Sequence, residues 1–238
     1  MQTSCMWSSE RPAVYRNVRP NDSHPAMREI GFAVGALALL IVGSFVVWRV
    51  LSRRISIPCP SWLSWMVELD NPFARSNRAA FIVGNMELLP GMSVLDAGCG
   101  PGRVTLPLAR AVGPDGVVVA MDFQSGMLAS VLTKAKDARI ENVRTVKAPI
   151  GQSGLEASRF DRAVMAAVLG EVPNRAAAMN DMFHVLKPGG VLAVAELVFD
   201  PHFQRRSVVR RLAAEAGFFE RATFGSRLAY LMLLEKPK

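Results

Sequence analysis

The segment from Ser93 to Arg103, SVLDAGCGPGR, constrains the fold more than any other part of this chain. A short apolar run, typical of a buried strand, ends in Asp96 and leads into glycines at 98, 100 and 102. Glycine lets the backbone turn sharply and approach a ligand closely, because no Cβ atom intervenes. The segment therefore predicts a strand, a ligand-binding turn and a helix, the opening unit of an α/β sheet.

Strand-like and helix-like stretches alternate from Gly91 onwards, and this alternation predicts a parallel sheet. Further strands are predicted over 117–121, 143–148 and 160–165. The run KPGG at 187–190 is expected to be a turn that ends one helix and starts another strand. Pro107 lies inside the helix predicted after the glycine loop, and it should kink that helix or shorten its first part.

The spacing of the glycines separates two classes of nucleotide-binding loop. A dinucleotide-binding fingerprint, G-x-G-x-x-G, would need a glycine at the position of Arg103. Here the glycines stand at 98, 100 and 102, and Asp96 comes two residues before the first of them. A carboxylate at that point suits a cationic amino-acid cofactor better than a pyrophosphate, so the pattern disfavours NAD.

LDAGCGPG resembles motif I of class I S-adenosylmethionine (SAM)-dependent methyltransferases, and the resemblance extends from about residue 58 to residue 238. AAVLGEVPN and MFHVLKPGGVLAVAE resemble segments of ubiquinone/menaquinone-type and related small-molecule methyltransferases. The resemblance implies an α/β, Rossmann-like sheet of seven strands with helices on both faces. Its last two strands, 222–225 and 230–236, would be antiparallel, and its cofactor would be SAM.

The resemblance also implies a set of cofactor-binding residues. Asp122 would hold the two ribose hydroxyls, and Phe123 would lie against the adenine. The run APIG at 148–151 follows the third strand without the polar residue often found there, which leaves adenine recognition to backbone groups. The implied set is Asp96, Ala97, Gly98, Cys99, Gly100, Gly102, Asp122, Phe123, Ala148, Pro149 and Ala166.

Methyl transfer from SAM requires little acid–base catalysis, because the sulfonium cation already activates the methyl group. The enzyme mainly has to align the reacting atoms and exclude water. Two candidates for a catalytic base follow predicted strands, Glu171 after the fourth and His202 after the fifth. Each also has an ordinary structural explanation, Glu171 as a helix-entry residue and His202 as a loop residue that caps local backbone.

Residues 30–48 carry no charge over 19 positions. As a helix they would extend roughly 28 Å, close to the hydrocarbon thickness of a bilayer. Trp48 followed by Arg49, Arg53 and Arg54 is typical of an interfacial anchor. A buried core helix would show a polar face and a signal peptide would show a small-residue cleavage site, so a retained single-pass transmembrane helix is expected.

These features predict a disordered tail over 1–28, a transmembrane helix over 29–50, a linker with N-terminal helices over 51–90 and a methyltransferase domain over 91–238. Met27 is an alternative start to Met1. Gly31 and Gly35 form a GxxxG pair through which two transmembrane helices could dimerise. Within the linker, one helical face would pack on the domain or lie on the membrane, and its members are Trp62, Trp65, Met66 and Leu69.

The net charge of +8 is densest near the N-terminus, where seven arginines and three acids up to residue 58 give +4. This favours a negatively charged membrane surface over nucleic acid as the partner of the charge. A second basic stretch, either a solvated helix face or a headgroup contact, comprises Arg205, Arg206, Arg210 and Arg211. The three cysteines, Cys5, Cys59 and Cys99, are spaced for neither a metal site nor a disulfide framework.

The sequence therefore favours a membrane enzyme that moves a methyl group from SAM to a small lipophilic acceptor, such as a quinone precursor or a phospholipid headgroup. Basic residues flank the helix almost equally, so only the cytosolic source of SAM places the domain on the cytoplasmic side. One alternative is a tethered SAM-binding or assembly protein without catalysis. Another is a protein or RNA methyltransferase, although no Asn-Pro-Pro-Tyr-type motif follows the fourth strand.

Overall fold

The computed structural model describes residues 25–55 and 74–238. The first range is one α-helix, α1, Pro25–Ile55, of 31 residues. Its side chains from Met27 to Ser44 are exposed, and this stretch has a mean hydropathy of 1.6. By length and composition, α1 is long and apolar enough to cross a membrane.

The boundaries of α1 correct the expected ones. The helix takes in residues 25–28, which we expected in a disordered tail, and residues 51–55, which we expected in the linker. Pro25 suits the first turn, where no backbone N–H is needed, and the polar residues at either end continue the helical hydrogen bonding. Gly31 and Gly35 lie within α1, and their pairing between two copies stays a prediction. The predicted tail over 1–24 and the face comprising Trp62, Trp65, Met66 and Leu69 lie outside the described residues.

Residues 74–238 form a seven-stranded sheet with helices on both faces. The strands are β1 Ser93–Ala97, β2 Val117–Asp122, β3 Val143–Lys147, β4 Phe160–Ala166, β5 Leu186–Leu197, β6 Phe219–Gly225 and β7 Ala229–Glu235. The α-helices are α2 Ala79–Asn85, α3 Thr105–Val112, α4 Ser125–Asp137, α5 Arg175–Val185 and α6 Arg206–Ala216. Two 3₁₀ turns are η1 Arg75–Asn77 and η2 Leu169–Glu171.

The strands run in the order β3-β2-β1-β4-β5-β7-β6. Strands β1 to β5 are parallel, while β7 is antiparallel to β5 and β6 is antiparallel to β7. This confirms the predicted sheet of seven strands with a final antiparallel pair. The order reverses between β1 and β4, and ligands of such sheets bind at the carboxyl ends of the strands beside that reversal. We call this side of the sheet the carboxyl edge; because β7 is antiparallel, it begins there.

Side chains alternate between the two faces of the sheet and build a core on each. Val94 points towards one face, which α2, α3 and α4 cover, and Leu95 points towards the other, which α5 and α6 cover. The two buried clusters include Ile82, Leu108 and Val131 on the first face and Met179, Met182 and Leu212 on the second. Burial on both faces fixes the register of the central strands and therefore the position of the loops at the carboxyl edge.

Two local expectations are refined by the structure. Helix α3 begins only at Thr105, so Pro107 lies in its first turn, where a missing N–H breaks no intrahelical bond. The first part of the expected helix is thus shortened. The KPGG run belongs to β5 from its start at Leu186, and the pairing with β4 shifts register between Phe160 and Arg162 to accommodate it.

Candidate functional site

The glycine loop after β1 has the backbone conformation that its sequence predicts. Gly98 and Gly102 have φ values of +75° and +94°, which L side chains rarely adopt. The amides of Gly98 and Cys99 both donate to the carbonyl of Met121, at 2.8 and 3.0 Å. A Cβ atom on Gly98 would overlap the side chain of Val168, so the loop also lies directly against the segment after β4.

Asp122 connects the end of β2 to this loop. Its Oδ2 accepts a hydrogen bond from the amide of Gly100 at 3.0 Å, and its Oδ1 accepts one from the amide of Gln124 at 2.8 Å. Burial raises the pKa of Asp122, and these amides oppose the rise. Phe123, the next residue, is 49% exposed. An oriented carboxylate is therefore followed in the chain by a half-exposed aromatic side chain.

Asp96 lies on the buried side of the loop. It is 2% exposed, and its Oδ2 accepts a hydrogen bond from the hydroxyl of Thr105 at 2.6 Å. Burial raises the pKa of Asp96 to about 6, while Thr105 and the charge of Arg103 oppose the rise. A buried carboxylate in this state gains from a neighbouring cation. Ala97 and Cys99, on either side of Gly98, are buried as well, and burial raises the pKa of the Cys99 thiol far above its usual range.

The loop after β3 is held by a side chain of α5. Asp181 accepts hydrogen bonds from the amide of Gly151 at 2.8 Å and from the hydroxyl of Ser153 at 2.6 Å. The amide of Ala148 donates to the backbone carbonyl of Asp122 at 3.3 Å, which joins this loop to the end of β2. Pro149, next to Ala148, is exposed. The sequence reasoning missed Asp181, which lies some 30 positions along the chain.

The segment after β4 closes the opposite side of the loop. Ala166 ends β4, and Ala167 has a φ of +57°, an uncommon value for a residue with a Cβ atom. The amide of Ala167 donates to the carbonyl of Ala195 in β5 at 2.8 Å, which holds this bend in place. Backbone strain of this kind often marks a functional site, and it had no signal in the sequence.

Glu171 and His202, the two candidate bases, lie together. Nδ1 of His202 is 3.9 Å from Oε1 of Glu171 and 3.8 Å from Oδ1 of Asp200. His202 is 5% exposed, whereas the Glu171 side chain keeps 24% of its surface exposed. Burial, followed by the nearby charges of Asp200 and Asp122, raises the pKa of Glu171 to about 8. A carboxyl group that titrates near neutral pH thus lies at the carboxyl edge.

Gly170 allows this approach. A Cβ atom on Gly170 would overlap the backbone carbonyl of His202, so only glycine lets η2 lie so close to the loop after β5. The carbonyl of Gly170 accepts a hydrogen bond from the guanidinium of Arg175 at 3.2 Å. The sequence alone gave no reason to connect Gly170 with His202, which is 32 positions away.

Glu196 and Tyr230 hold the loop after β5, which carries His202. These two residues are cross-strand neighbours on β5 and β7. Oε2 of Glu196 accepts a hydrogen bond from the amide of Gln204 at 2.9 Å, and the Tyr230 hydroxyl donates to the carbonyl of Gln204 at 2.8 Å. Glu196 is 1% exposed, and burial raises its pKa well above the usual range. This pair, which we name the Gln204 clamp, was missed by sequence reasoning because its members are far apart in the chain.

The carboxyl edge therefore collects almost the whole predicted set. The glycine loop, Asp122 with Phe123, the 148–151 loop and Ala166 follow four adjacent strands, with Glu171 and His202 on the β4–β5 side. Within residues 25–55 and 74–238, no group of three or more His, Cys, Asp or Glu side chains is arranged to hold a metal ion. The arrangement offers the glycine loop at 98–102, which we call the glycine cradle, together with the buried carboxylate of Asp96, the oriented carboxylate of Asp122 and the half-exposed ring of Phe123.

Comparison with known proteins agrees with this arrangement. Residues 88–223 match the family model described as a methyltransferase domain. Over 115 residues the chain is 36% identical to the demethylmenaquinone methyltransferase of Staphylococcus aureus (strain JH9), which covers 48% of this chain and 47% of that protein. The chain thus spans about half the length of the curated relatives it matches.

Solved structures share the fold. A SAM-dependent methyltransferase from Aquifex aeolicus superposes with a TM-score of 0.66 at 20% identity, covering 75% of this chain and 99% of that one. An arsenic(III) S-adenosylmethionine methyltransferase from Chlamydomonas reinhardtii superposes with a TM-score of 0.56 at 19% identity, covering 76% of this chain and 75% of that one. The family match covers more than half of the chain and shows that it belongs to the methyltransferase domain family, and all the matches together support a class I SAM-dependent methyltransferase with S-adenosylmethionine as its cofactor.

Proposed function

We propose that this protein transfers a methyl group from SAM to a small lipophilic acceptor of the quinone type at a membrane. The observation that carries the proposal is the glycine cradle between Asp96 and Asp122, with the titratable carboxyl of Glu171 on its far side. The similarity to a demethylmenaquinone methyltransferase supports the acceptor class.

The residues of the cradle fit SAM. Asp96 is a buried carboxylate whose charge is poorly compensated, so the ammonium group of the methionyl moiety would stabilise it. Asp122 has both carboxylate oxygens oriented by backbone amides and keeps lone pairs for ribose hydroxyls. Phe123 offers its exposed ring to the adenine, while Ala148 and Pro149 would border the base from the neighbouring loop. Gly98 and Gly102 allow the loop to pack closely against Val168 and Val131, where a Cβ atom would crowd those side chains.

When bound, SAM supplies an electrophilic methyl group on a sulfonium sulfur. Glu171 would accept the proton from a hydroxyl group of the acceptor, which makes the acceptor more nucleophilic. The raised pKa of Glu171 suits this role, because the ionised form is then a stronger base while remaining partly populated near neutral pH. Nδ1 of His202 lies 3.9 Å from Oε1 of Glu171, so the buried imidazole ring would border this carboxyl group. The Gln204 clamp keeps His202 in position, and close packing at Gly170 excludes water from that side.

The membrane part of the proposal depends on α1. A helix with an uncharged stretch of this length would anchor the chain in a single pass and concentrate the enzyme where lipophilic acceptors dissolve. Because SAM is made in the cytosol, the domain would face the cytoplasm. A soluble acceptor would gain nothing from such an anchor, which is why we favour a membrane-resident one.

The experiment is a transfer assay with the full chain in detergent-free membranes and SAM labelled with tritium on the methyl group. We expect the label in the organic-extractable fraction, and we expect Glu171→Gln to lower the rate while leaving binding of S-adenosylhomocysteine intact. Label only in protein or RNA would contradict a small-molecule acceptor. Failure of calorimetry to detect S-adenosylhomocysteine binding would instead support a tethered protein without catalysis.

A further inference from the structure

Two exposed apolar side chains lie on neighbouring segments at the carboxyl edge. Phe199 follows β5 and is 62% exposed, and Leu228 precedes β7 and is 59% exposed. The amide of Val198 donates to the carbonyl of Leu228 at 2.7 Å, so the two segments are hydrogen-bonded to each other beside these side chains. Single exposed apolar residues are common on soluble proteins, but two of them on hydrogen-bonded segments at the rim of a site suggest contact with an apolar phase.

Arginines lie on the segments next to these two side chains, and Arg206, the least exposed of them, stacks over the ring of Tyr230. Arg206 donates to the carbonyl of Ser226 at 2.6 Å, which brings the start of α6 next to the turn that carries Arg227 and Leu228. Arg205 and Arg227 are exposed. The acid nearest in sequence to Phe199, Asp200, has its carboxylate engaged with the amide of His202 at 2.7 Å and is only 16% exposed. The local surface is therefore apolar at its centre and positively charged at its margin.

The charge further along α6 is different. Arg210 is paired with Glu220, and Arg211 is paired with Glu215 at 2.9 Å. Half of the basic stretch recognised in the sequence is thus compensated by acids on the domain itself. The positive excess remains at the end of the helix that adjoins Phe199 and Leu228.

We propose that Phe199, Leu228, Arg205 and Arg227, here named the rim patch, rest on an anionic lipid bilayer. The two apolar side chains enter the headgroup region, and the guanidinium groups contact lipid phosphates. Two apolar side chains are too few for a stable protein interface, which generally buries more than about 1,000 Å². A domain that is already tethered needs only a weak surface contact, because the tether raises its local concentration at the membrane. A lipid surface is therefore the partner that fits.

Contact between the rim patch and the bilayer would orient the opening of the site towards the lipid. Phe199 and Arg205 of the rim patch lie on the loop that carries His202, so docking the patch on the bilayer would bring the acceptor side of the site to the lipid surface. A lipophilic acceptor could then enter without crossing water. The inference rests on the proposed membrane anchor but not on methyl transfer, and the two can be tested separately.

The test uses the full chain with Cys5 and Cys59 changed to serine, reconstituted into phosphatidylcholine vesicles with or without phosphatidylglycerol. An environment-sensitive fluorophore is attached to Phe199→Cys, to Leu228→Cys or, as a control, to Asp115→Cys. Asp115 is exposed in the turn before β2, at the opposite edge of the sheet. Lipids with a spin label near the headgroup quench any fluorophore that enters the interface, and binding of S-adenosylhomocysteine verifies that each variant is folded.

We expect at least twofold stronger quenching at 199 and 228 than at 115 in anionic vesicles, and a loss of this difference when Arg205 and Arg227 are changed to glutamate. Equal quenching at all three positions, in a chain that floats with the vesicles, would overturn the rim patch alone. Unchanged quenching without phosphatidylglycerol would overturn the role of the arginines. A chain that does not float at all would overturn the anchor and the rim patch together.

Discussion

The amide nitrogen of Gly100 lies 3.0 Å from Oδ2 of Asp122, and this hydrogen bond makes the glycine loop and the end of β2 a single structural unit. The second carboxylate oxygen of Asp122 accepts from the amide of Gln124, so the side chain also organises the start of α4. The carboxylate that we assign to the ribose hydroxyls thus orients the loop as well. Changes at this position affect both the fold of the cradle and its ligand.

Asp122→Ala removes an acceptor from two backbone amides and the proposed partner of the ribose. We expect calorimetry to find S-adenosylhomocysteine bound roughly tenfold or more weakly, since each hydrogen bond to a charged group contributes about 1.5–3 kcal/mol. Asp137→Ala, at the exposed end of α4, is the matched control and should leave the affinity unchanged. Equal affinities for wild type and Asp122→Ala would refute the assignment.

We expect Asp96→Asn to stabilise the ligand-free protein and to weaken cofactor binding. The pKa of Asp96 is about 6 in the folded protein, above its usual value of 3.8. Between these two pH values the carboxyl is protonated in the folded protein and ionised in the unfolded chain. Stability from the neutral carboxyl is present below pH 4 and is lost as the pH rises through 6. The substitution removes a buried charge, so at pH 8 it should stabilise the ligand-free protein by about 1–3 kcal/mol.

The same variant should bind S-adenosylhomocysteine more weakly, because the ammonium group loses its ionic partner. The wild-type dissociation constant should likewise rise as the pH falls below 6, where Asp96 is protonated. Thermal unfolding and calorimetry from pH 5 to pH 8 measure both effects. If Asp96→Asn is destabilising at pH 8 and binds normally, Asp96 has a purely structural role.

Gly170→Ala tests the contact between η2 and the loop after β5. The added Cβ atom would overlap the His202 carbonyl, so the loop must move, and we expect a loss of about 2–4 kcal/mol in unfolding free energy. Gly84→Ala is the control, because an added Cβ atom there meets nothing within 4 Å. It lies in α2 and should be neutral or stabilising by up to about 1 kcal/mol. Similar midpoints of denaturant unfolding for the two variants would show that the close approach has no energetic consequence.

The pH dependence of the reaction should report Glu171. Because the base is the ionised form and its pKa is about 8, kcat/KM should rise roughly tenfold from pH 7 to a plateau above pH 9. Glu171→Gln should have a lower rate and no such rise. A pH profile of kcat/KM with the same shape in the variant as in the wild type would assign the titration to another group.

The parts of the site that could be predicted from the sequence are those carried by one continuous segment. The run from Asp96 to Gly102 specifies its own turn, because positive φ values and close approach both demand glycine. Asp122 was implied by the family resemblance, and it lies at the end of the next strand in the same strand–helix–strand unit. Glu171 and His202 were found as residues after strands, but their proximity was not foreseen.

The contacts that sequence reasoning missed all join distant segments. Asp181 holds the loop at Gly151, and Glu196 with Tyr230 holds Gln204. Such hydrogen bonds depend on which elements the sheet order makes neighbours, and a polar residue within a helix or strand gives no sign of its partner. The ends of α1 were misjudged because hydrophobicity marks the apolar span and not the limits of helical hydrogen bonding.

The most direct test of the proposed reaction is a mass comparison of membrane lipids. Membranes depleted of this protein would be incubated with SAM and either the full wild-type chain or the Asp96→Ala variant. We expect that one lipophilic compound becomes heavier by one methylene unit only with the wild-type chain, and that S-adenosylhomocysteine is formed in equal amount. Wild-type protein that binds SAM but changes no lipid, or that places the methyl group only on protein or RNA, would contradict it.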